Sequence, residues 1–524
     1  MSEARPGQRR MGAQPVVVLS DDSERTHGRD AQKMNIAAGK AVAEAVRTTL
    51  GPRGMDKMLV SDSGDVVITN DGATILNEMD IEHPAAQMIV EVAETQEDEV
   101  GDGTTTASVL AGQLLSEAED LLEQDVHPTT VVEGYHEAAR IAGEAIEAET
   151  LDADVDDDTL TEVAVTSMTG KGTGDVTTER LAEIVVNAIR SAGGDRDEVR
   201  VHTQTGASSS ATELVQGVVL DEEPAHAAMP REAEDASVAV LDVELDVRES
   251  EIDAEYNVTS VDQLQTAIES EESELRGYAD AIEAAGIDVV FNEDDIEDRV
   301  ASHLADRGIL AFDGLDSDDV SAILEATGAS QLVSVDDIEA DDLGTADHVR
   351  TARFGDDELA FVEGAEAENV TVFARGGTEH VVNELERALT DALDVASTAL
   401  DTGQVVPGAG HTEIAIADRI RAEAASVSGR KQLAVEAFAD ALDILPRTLA
   451  ENAGMDPIDA LVDLRAAYED GERAGLIVEG RTGAVRDPVE QGVLDPAAVK
   501  KEAVESAAEA ATMIVRIDDV IAAN

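Results

Sequence analysis

The residues with the clearest chemical potential form one run, Gly101-Asp102-Gly103-Thr104-Thr105-Thr106, which precedes a helix-forming segment. Glycines permit close approach of the backbone, and hydroxyls with free amides at a helix N-terminus favour an anion such as phosphate. A carboxylate beside a phosphate requires a metal ion, and Asp102 could hold a magnesium ion that bridges the phosphates. Such residues also begin many helices without binding anything, so a plain N-cap remains the alternative.

Two further glycine-bearing turns carry carboxylates in the same region. The first, Leu50-Gly51-Pro52-Arg53-Gly54-Met55-Asp56-Lys57, follows a helical segment, with Gly51 where a helix C-cap is expected. The second, Thr69-Asn70-Asp71-Gly72-Ala73-Thr74, precedes a helix expected to begin near Ile75. Each turn alone is an ordinary helix start or end, but three glycine-bearing turns with carboxylates in one region are what a magnesium-nucleotide site requires. None matches the Walker A pattern, which disfavours an ordinary P-loop enzyme.

Two Ala-rich regions with helical periodicity, at about 30–149 and 408–523, must position these turns. In the first region, Leu110, Leu114 and Leu121 form an apolar stripe that predicts a buried helix face. The segment from Met58 to Thr69 predicts two short strands around the turn-forming trio Asp62-Ser63-Gly64. These patterns indicate mainly helical regions near the two ends of the chain.

The middle of the chain differs, because β-forming segments at 238–247, 288–291 and 370–374 alternate with short helices. This alternation predicts an α/β insertion. Within 246–285, a polar helix is expected over 261–284, with few apolar positions. Such a helix cannot be buried all round, so it should project or cover a surface.

The composition is extremely acidic. The formal net charge is -77, from 114 acidic and 37 basic residues, and seven of the basic residues are lysines. At about 1 M salt the Debye length shrinks to about 3 Å, so a very salty cytoplasm makes this charge tolerable. An acidic disordered chain is the rival interpretation, but the acids interleave with apolar residues at helical spacing. We therefore expect a folded, halophilic protein.

The same composition excludes several classes of protein. Nucleic acid is disfavoured as a partner, since phosphates would be repelled and no basic patch exists. The absence of cysteine excludes disulfides, thiolate metal sites and cysteine nucleophiles. No apolar run reaches membrane-spanning length, and the first ten residues lack the apolar segment of a secretory signal. We expect a cytoplasmic protein that does not associate with membranes.

Taken together, the three turns resemble the signature loops of chaperonins, most closely those of the group II family of archaeal thermosome subunits. The likeness covers nearly the whole chain from about Gly28. It continues through Thr169-Gly170-Lys171-Gly172, Arg375-Gly376-Gly377-Thr378-Glu379-His380, Phe438-Ala439-Asp440-Ala441-Leu442, Pro446-Arg447-Thr448-Leu449-Ala450-Glu451-Asn452-Ala453-Gly454 and Arg516-Ile517-Asp518-Asp519-Val520-Ile521.

This resemblance implies a multidomain chaperonin fold of α and α/β units. It has a helical equatorial ATPase domain, a small intermediate domain and an α/β apical domain for substrate binding. The polar segment at 246–285 corresponds to a helical protrusion that acts as a built-in lid, unlike the separate lid protein of group I members. The implied bounds are 1–157 and 404–524 for the equatorial domain, 158–222 and 376–403 for the intermediate domain, and 223–375 for the apical domain.

The resemblance also implies roles for individual residues. Asp102 would bind magnesium, Asp71 would assist the metal and the attacking water, and Asp391 would be the general base. Lys171 would sense the γ-phosphate. The nucleotide would further contact Leu50, Gly51, Pro52, Gly101, Gly103, Thr104, Thr105, Thr106, Gly410 and Asp495. Two positions depart from the family pattern, with Ala409 in place of a glycine and Asp495 where glutamate is frequent, which puts fine specificity and turnover in question.

The implied function is ATP-dependent protein folding in a double-ring chamber, with ATP or ADP, Mg²⁺ and K⁺ as candidate cofactors. Partners would be non-native client proteins and other chaperonin subunits, and each hairpin at 58–69 would join a neighbour's terminal strands near 513–521. A specialised subunit or holdase with weak ATPase activity is the alternative, consistent with Ala409 and with the lack of a Gly/Met-rich tail after Asn524. The presence of Asp71, Asp102 and Asp391 counts against it. An unrelated acidic ATPase is disfavoured by the lid-like insertion.

Overall fold

Long Ala-rich helices form the first part of the chain in a computed structural model, which describes residues 24–61, 64, 66–151, 155–247, 261–364, 369–480 and 482–522. The predicted stripe of Leu110, Leu114 and Leu121 is buried. The elements are β1 (Glu24–His27), α1 (Arg29–Val46), β2 (Lys57–Val60), β3 (Val66–Thr69), α2 (Gly72–Asn77), α3 (Pro84–Val100), α4 (Thr104–Glu123) and α5 (Pro128–Glu149), with a 3₁₀ turn at Arg47–Thr49.

Strands β2 and β3 pair antiparallel, with Val60 opposite Val66, which confirms the predicted hairpin. Its turn residues Asp62 and Ser63 lie outside the described residues. The expected start of the next helix near Ile75 is wrong by three residues. Helix α2 begins at Gly72 because Asp71 is its N-cap, with the carboxylate accepting a bond from the backbone amide of Thr74 at 2.7 Å.

The next elements belong to two units, a small one and a larger one that contains a sheet. The small unit contains α6 (Asp157–Met168), α7 (Thr178–Ser191), β4 (Val199–Thr205), a 3₁₀ turn (Ser209–Ala211) and β5 (Glu213–Val215). The larger unit contains β6 (Gly217–Leu220), β7 (Glu232–Leu241), α8 (Val261–Ala285), β8 (Val289–Asn292), α9 (Asp298–Asp306), β9 (Leu310–Phe312), α10 (Ser317–Thr327), β10 (Gln331–Leu332), 3₁₀ turns at Val335–Asp337 and Ala340–Asp342, β11 (Gly344–Phe354) and β12 (Asp357–Glu363).

The larger unit is the predicted α/β insertion. Its strands follow the order β6-β12-β11-β7-β8-β9, and β10 pairs with β7 beside this path. The sequence placed a strand at 238–247, but β7 covers Glu232–Leu241. It ends there because the parallel pairing with β8 ends where Leu241 meets Asn292, the last residue of β8. Beyond this point the chain leaves the sheet, apart from a single bridge between Leu245 and Ile296.

Helix α8 confirms the predicted polar helix. Its C-terminal half packs on the sheet, with Leu275 and Tyr278 buried. Farther towards its N-terminus, Ile268 is 53% exposed. The helix therefore covers the sheet with its C-terminal half, while Ile268 farther along the helix meets solvent. Residues 248–260 of the expected protrusion lie outside the described residues.

After the insertion the chain returns through β13 (Val370–Gly376) and the long helix α11 (Glu379–Thr402). Strand β13 pairs parallel with β4 and antiparallel with β5, so the returning chain completes the small unit. The remaining elements are β14 (Val405–Pro407), α12 (His411–Ala424), α13 (Lys431–Leu442), α14 (Ile444–Asn452), α15 (Pro457–Glu469), β15 (Gly475–Glu479), β16 (Thr482–Arg486), β17 (Leu494–Pro496), α16 (Ala497–Val515) and β18 (Asp519–Ala522).

Both ends of the chain share one core. Leu114 of α4 and Ile514 of α16 belong to the same buried apolar cluster. Strand β18 pairs antiparallel with β1, with Val520 opposite Thr26. Met513, expected near the terminal strands, lies in α16 instead. The larger sheet and the unit around α6, α7 and α11 have separate apolar clusters. In the described part of the chain, every helix is too short or too polar to span a bilayer.

Candidate functional site

A cavity of about 390 Å³ lies where the three glycine-bearing turns meet. Its walls come from both ends of the chain and from the loop after α6. The predicted site residues that line it are Leu50, Gly51, Pro52, Asp71, Asp102, Gly103, Thr104, Thr105, Thr106, Lys171, Gly410 and Asp495. Two predicted residues, Gly101 and Asp391, do not line the cavity but touch the groups around it.

The N-terminus of α4 supplies the anion-binding part. Gly103 is the N-cap of α4 with a left-handed backbone (φ 87°), and no side chain caps the helix. The amides of the first helical turn therefore have no partner within the helix, and they belong to Thr104, Thr105 and Thr106. Gly103 also permits close packing, since a Cβ there would lie 2.9 Å from Nε2 of Gln96. This helix start can bind a phosphate through its amides and hydroxyls.

Asp102 is held beside this helix start. One of its carboxylate oxygens accepts a bond from the backbone amide of Gly103 at 2.6 Å. Its backbone carbonyl accepts a bond from Gln96 at 2.7 Å, and Gln96 also donates to the carbonyl of Val499 at 3.2 Å. Gln96 thus links the loop of Asp102 to α16 through hydrogen bonds. The sequence does not predict this link, because it joins distant segments.

The turn of Asp71 packs against the same helix. A Cβ at Gly72 would lie 3.0 Å from Oγ1 of Thr104, so a larger residue would not fit there. The neighbouring Asn70 donates to the carbonyl of Gly170 at 2.7 Å. Asp71 and Asp102 therefore face one cavity, with the loop that carries Lys171 attached to its rim.

The loop around Gly170 also lies against the first turn. A Cβ at Gly170 would be 3.1 Å from the carbonyl oxygen of Gly51, and Gly170 has a φ of 93°. Gly51 itself has a φ of 84°, and a Cβ there would collide with Leu449. Glycine is thus required at both positions by backbone conformation and by close approach.

Asp391 and Lys171 form an ion pair next to the cavity. Their side chains are 13% and 16% exposed, so both charges lie largely out of water. Burial raises the pKa of Asp391 to about 7, although Lys171 opposes the change. Burial tends to lower the pKa of Lys171, but Asp391 and Asp102 raise it overall, and the ammonium stays charged. A carboxyl group with a pKa near neutrality suits proton transfer.

Gly101 lies at the contact between α11 and the loop that carries Asp102. It is the C-cap of α3 with a φ of 70°, and a Cβ there would collide with the side chain of Asp394. Asp394 lies one turn beyond Asp391 on α11 and pairs with Arg196 at 2.5 Å. Burial raises the pKa of Asp394, and Arg196 opposes the change. Gly101 therefore lets α11 approach the loop of Asp102.

Three further residues that line the cavity are joined by ion pairs. Asp495 pairs with Lys500 at 2.9 Å, and Lys500 pairs with Glu413 at 2.8 Å. Asp495 is among the residues predicted from the sequence, whereas Lys500 and Glu413 are not. The scarcity of lysine was a usable signal, because two of the seven lysines, Lys171 and Lys500, line this cavity.

Ala409, at a position where the resemblance predicts glycine, has a φ of 55°. Its carbonyl accepts a bond from the amide of Leu476 at 2.8 Å, which fixes the turn against β15. An alanine in the left-handed region costs about 1 kcal/mol relative to glycine. The substitution therefore keeps the shape of the turn but adds backbone strain.

Comparison with known proteins shows the family to which the chain belongs. The chain matches the TCP-1/cpn60 chaperonin family over residues 42–524. It is 66% identical to thermosome subunit 3 of Haloferax volcanii over 98% of this chain and 99% of that protein. It is 54% identical to thermosome subunit alpha of Halobacterium salinarum, over 98% of this chain and 92% of the relative. Identity is also 54% with thermosome subunit 1 of Haloferax volcanii, over 99% and 93% of the two chains.

Proposed function

Because the chain belongs to the TCP-1/cpn60 chaperonin family, in its archaeal thermosome branch, we propose that it hydrolyses magnesium-ATP to drive protein folding inside a double ring. The observation that carries this proposal is the cavity shared by Asp71 and Asp102. Lys171 lines the same cavity and pairs with Asp391. The site thus has an anion-binding helix start, carboxylates for a metal ion and a candidate base.

The side chains of the cavity fit a magnesium-bound triphosphate. Asp102 would hold Mg²⁺, with Asp71 assisting, and the threonines of α4 would bind phosphate oxygens. When bound, the magnesium ion neutralises phosphate charge that these carboxylates would otherwise repel. Magnesium sites of this kind take one or two carboxylates plus substrate phosphates.

Asp391 would be the general base for the attacking water. In the structure its carboxylate is occupied by Lys171, so it would need to be released before it could accept a proton. A γ-phosphate in the cavity would compete for the Lys171 ammonium. We propose that ATP binding moves Lys171 from Asp391 to the γ-phosphate and frees the base. Because α11 belongs to the apolar cluster of the small unit, this exchange would couple hydrolysis to movement of that unit.

Ring assembly would use the exposed hairpin. Met58 and Val60 on β2 are 66% and 63% exposed, which is unusual for apolar strand residues of a monomer. Strand β18 pairs with β1 in the same chain, which leaves its other edge for a neighbour's hairpin. Haloferax volcanii has more than one such subunit, which supports rings of mixed composition.

The polar helix α8 would belong to the built-in lid, and non-native proteins would bind the unit around the larger sheet. The division into equatorial, intermediate and apical domains is supported by the separate large apolar clusters of the helical ends, the small unit and the larger unit. We further propose a cytoplasmic location in a salt-rich cell, with K⁺ as an additional cation for the site.

One observation favours a second candidate, a ring subunit with weak ATPase activity. Ala409 strains the turn next to Gly410 in the cavity wall, where the family has glycine. Such strain could slow nucleotide exchange without preventing assembly. The candidate base and the carboxylates for magnesium are nevertheless present.

A single preparation separates these candidates. The protein is purified in molar KCl, imaged by electron microscopy, and assayed for magnesium-dependent phosphate release with and without Asp391→Ala. Double rings whose turnover is lost in the variant support the folding ATPase. Rings with little turnover in either protein support the second candidate. Active monomers would contradict both.

A further inference from the structure

His411 is a buried histidine just outside the cavity. It is the first residue of α12 and follows Gly410, which lines the cavity and is the N-cap of that helix. The side chain of His411 is only 2% exposed and does not itself line the cavity. A buried imidazole ring needs a hydrogen-bond partner for each of its two nitrogens.

The two ring nitrogens contact different segments of the chain. Nδ1 accepts a hydrogen bond from the backbone amide of Ala474 at 3.2 Å, and Nε2 lies 3.3 Å from Oε2 of Glu149. Because the amide of Ala474 can only donate, Nδ1 is the unprotonated nitrogen of the neutral ring and Nε2 carries the proton. The carbonyl oxygen of Ala474 is 3.3 Å from Nδ1 and would be a partner only for a ring protonated there. His411 therefore bridges Glu149 and the backbone of Ala474.

Glu149, the last residue of α5, fixes the protonation of this ring. The hydrogen bond from His411 lowers the pKa of Glu149, and Tyr468 adds to the effect, although burial opposes it. An ionised carboxylate can only accept, so it keeps the proton of His411 on Nε2 and leaves Nδ1 free to accept. Tyr468 of α15 donates to Oε1 of the same carboxylate at 3.2 Å, and its ring packs edge-on against His411.

Ala474 directly precedes β15, which forms an apolar wall of the cavity. Leu476, Ile477 and Val478 of this strand line the cavity. In the described part of the chain, β15 pairs with β16 alone, so no larger sheet holds it in place. Ala474 and Leu476 belong to a small apolar cluster that is separate from the core of the long helices. The position of this wall therefore depends on a small number of contacts.

The start of β15 also packs tightly against the turn before α12. The amide of Leu476 donates to the carbonyl of Ala409 at 2.8 Å. A Cβ at Gly475 would lie 2.9 Å from Cβ of Ala409, so the strand and the turn are in close contact. His411 continues this turn into α12, and its bond to Ala474 therefore joins the same two segments. A shift of Ala474 would displace Leu476 and with it the wall of the cavity.

We propose that His411 is a positioning residue that holds the start of β15 against the turn before α12, and thereby sets the affinity of the cavity for a nucleotide. The ring acts through Ala474 from outside the cavity. The three aliphatic side chains of the wall offer no hydrogen bond to a phosphate, so this wall suits the uncharged part of the ligand. This inference rests on the proposed function, because it takes ATP as the occupant of the cavity.

The test compares two variants that each keep one of the two contacts of the ring. The side-chain oxygen of asparagine is as many bonds from Cα as Nδ1 of histidine, and the side-chain nitrogen of glutamine is as many bonds away as Nε2. His411→Asn therefore keeps the acceptor for Ala474, whereas His411→Gln keeps the donor to Glu149 and loses that acceptor. Dissociation constants for magnesium-ATP are measured by calorimetry in molar KCl, on an Asp391→Ala background that prevents hydrolysis.

The two variants should differ in ATP affinity. We expect His411→Gln to weaken binding by about 3-fold to 10-fold, the range for one lost hydrogen bond, and His411→Asn to stay within about twofold of the parent. The affinity for inorganic tripolyphosphate, which has no uncharged part, should be the same in all three proteins. Hydrogen exchange of the peptide 474–478 should be faster in His411→Gln than in His411→Asn. His136→Gln, at an exposed histidine of α5, is the matched control and should behave like the parent.

A third variant keeps the test decisive if His411→Gln does not fold. Tyr468→Phe removes one of the two donors to Glu149 and keeps the aromatic ring beside His411. It should weaken ATP binding by about twofold, since the carboxylate then orients His411 less firmly. In that case, unchanged ATP affinity of Tyr468→Phe would overturn the inference.

The outcomes separate this inference from the proposed function. Equal ATP affinity of His411→Gln and the parent would overturn the inference, and so would an equal loss in His411→Asn and His411→Gln. A matching loss of tripolyphosphate affinity would overturn it too, because it would show general damage to the cavity. Parent protein that binds magnesium-ATP but does not hydrolyse it with Asp391 present would contradict the proposed function alone. Parent protein that binds no ATP would overturn both.

Discussion

Lys171 and Asp391 are separated by 220 positions in the chain, yet they form an ion pair beside the cavity. Lys171 lies on the loop after α6 and lines the cavity, whereas Asp391 lies on α11 and reaches it only through this pair. A lysine held between a buried carboxylate and a phosphate site can sense the nucleotide and control the base at once.

Replacing the candidate base should abolish turnover without preventing binding. We expect Asp391→Ala to lower kcat by about 10²-fold to 10⁴-fold, the usual contribution of general base catalysis. Steady-state phosphate release and ATP affinity measure the two effects. Asp401→Ala, at an exposed position of the same helix, is the matched control and should leave kcat unchanged. Equal turnover in the two variants would remove Asp391 from the mechanism.

Turnover should depend on pH through Asp391, whose pKa burial raises to about 7. Only the carboxylate accepts a proton, so kcat/KM, which reports the free enzyme, should fall about tenfold per pH unit below this value and level off above it. Lys171→Met removes the cation that opposes the rise in the pKa of Asp391. In this variant the fall in rate towards low pH, the acid limb of the profile, should therefore move to higher pH. Lys501→Met is the charge-matched control. A limb that moves to lower pH would contradict the assignment.

A methyl group at Gly101 should separate α11 from the loop of Asp102, because a Cβ there collides with Asp394 and the φ of 70° disfavours alanine. We expect Gly101→Ala to lower kcat at least tenfold. Gly143→Ala is the control, since Gly143 lies in α5 with nothing within 4 Å of an added Cβ, and it should be neutral or slightly stabilising. Assembly of both variants is checked by electron microscopy. Normal turnover of Gly101→Ala would show that the close approach of α11 to the loop of Asp102 is not needed for hydrolysis.

Restoring glycine at position 409 should relieve strain. We expect Ala409→Gly to stabilise the subunit by about 0.5–1 kcal/mol, because the relief of the left-handed alanine exceeds the entropy that glycine adds to the unfolded chain. Denaturant midpoints at fixed protein concentration measure the change. Ala37→Gly, at an exposed position inside α1, should destabilise by about 1 kcal/mol and so shift the midpoint in the opposite direction.

The exposed hairpin should be needed for assembly rather than for folding. We expect Val60→Asp to prevent ring formation, because it places a charge on an apolar strand surface that is 63% exposed in the single chain. Sedimentation should then show folded monomers. Val333→Asp introduces the same charge at a position 73% exposed in the larger unit, and it should still form rings. Intact rings of Val60→Asp would exclude β2 from the interface.

Local features of the site could be predicted from the sequence because they depend on neighbouring residues. The hairpin of β2 and β3, the polar helix α8 and the glycine turns follow from spacing, turn chemistry and backbone conformation within a few positions. Boundaries were less accurate where a long-range contact decided them. Strand β7 ends at Leu241 because its partner β8 ends opposite it, and no residue of β7 encodes that length.

The sequence by itself determined that a chain of net charge -77 folds as helical ends around an α/β insertion, and that its carboxylate-bearing turns suit a magnesium-bound phosphate. Only the tertiary structure decided which distant charges meet. Glu413 with Lys500, and Gly101 against Asp394, are brought together by the packing of separate helices. Spacing along the chain carries no information about such pairs, because their energies arise from burial and distance after folding.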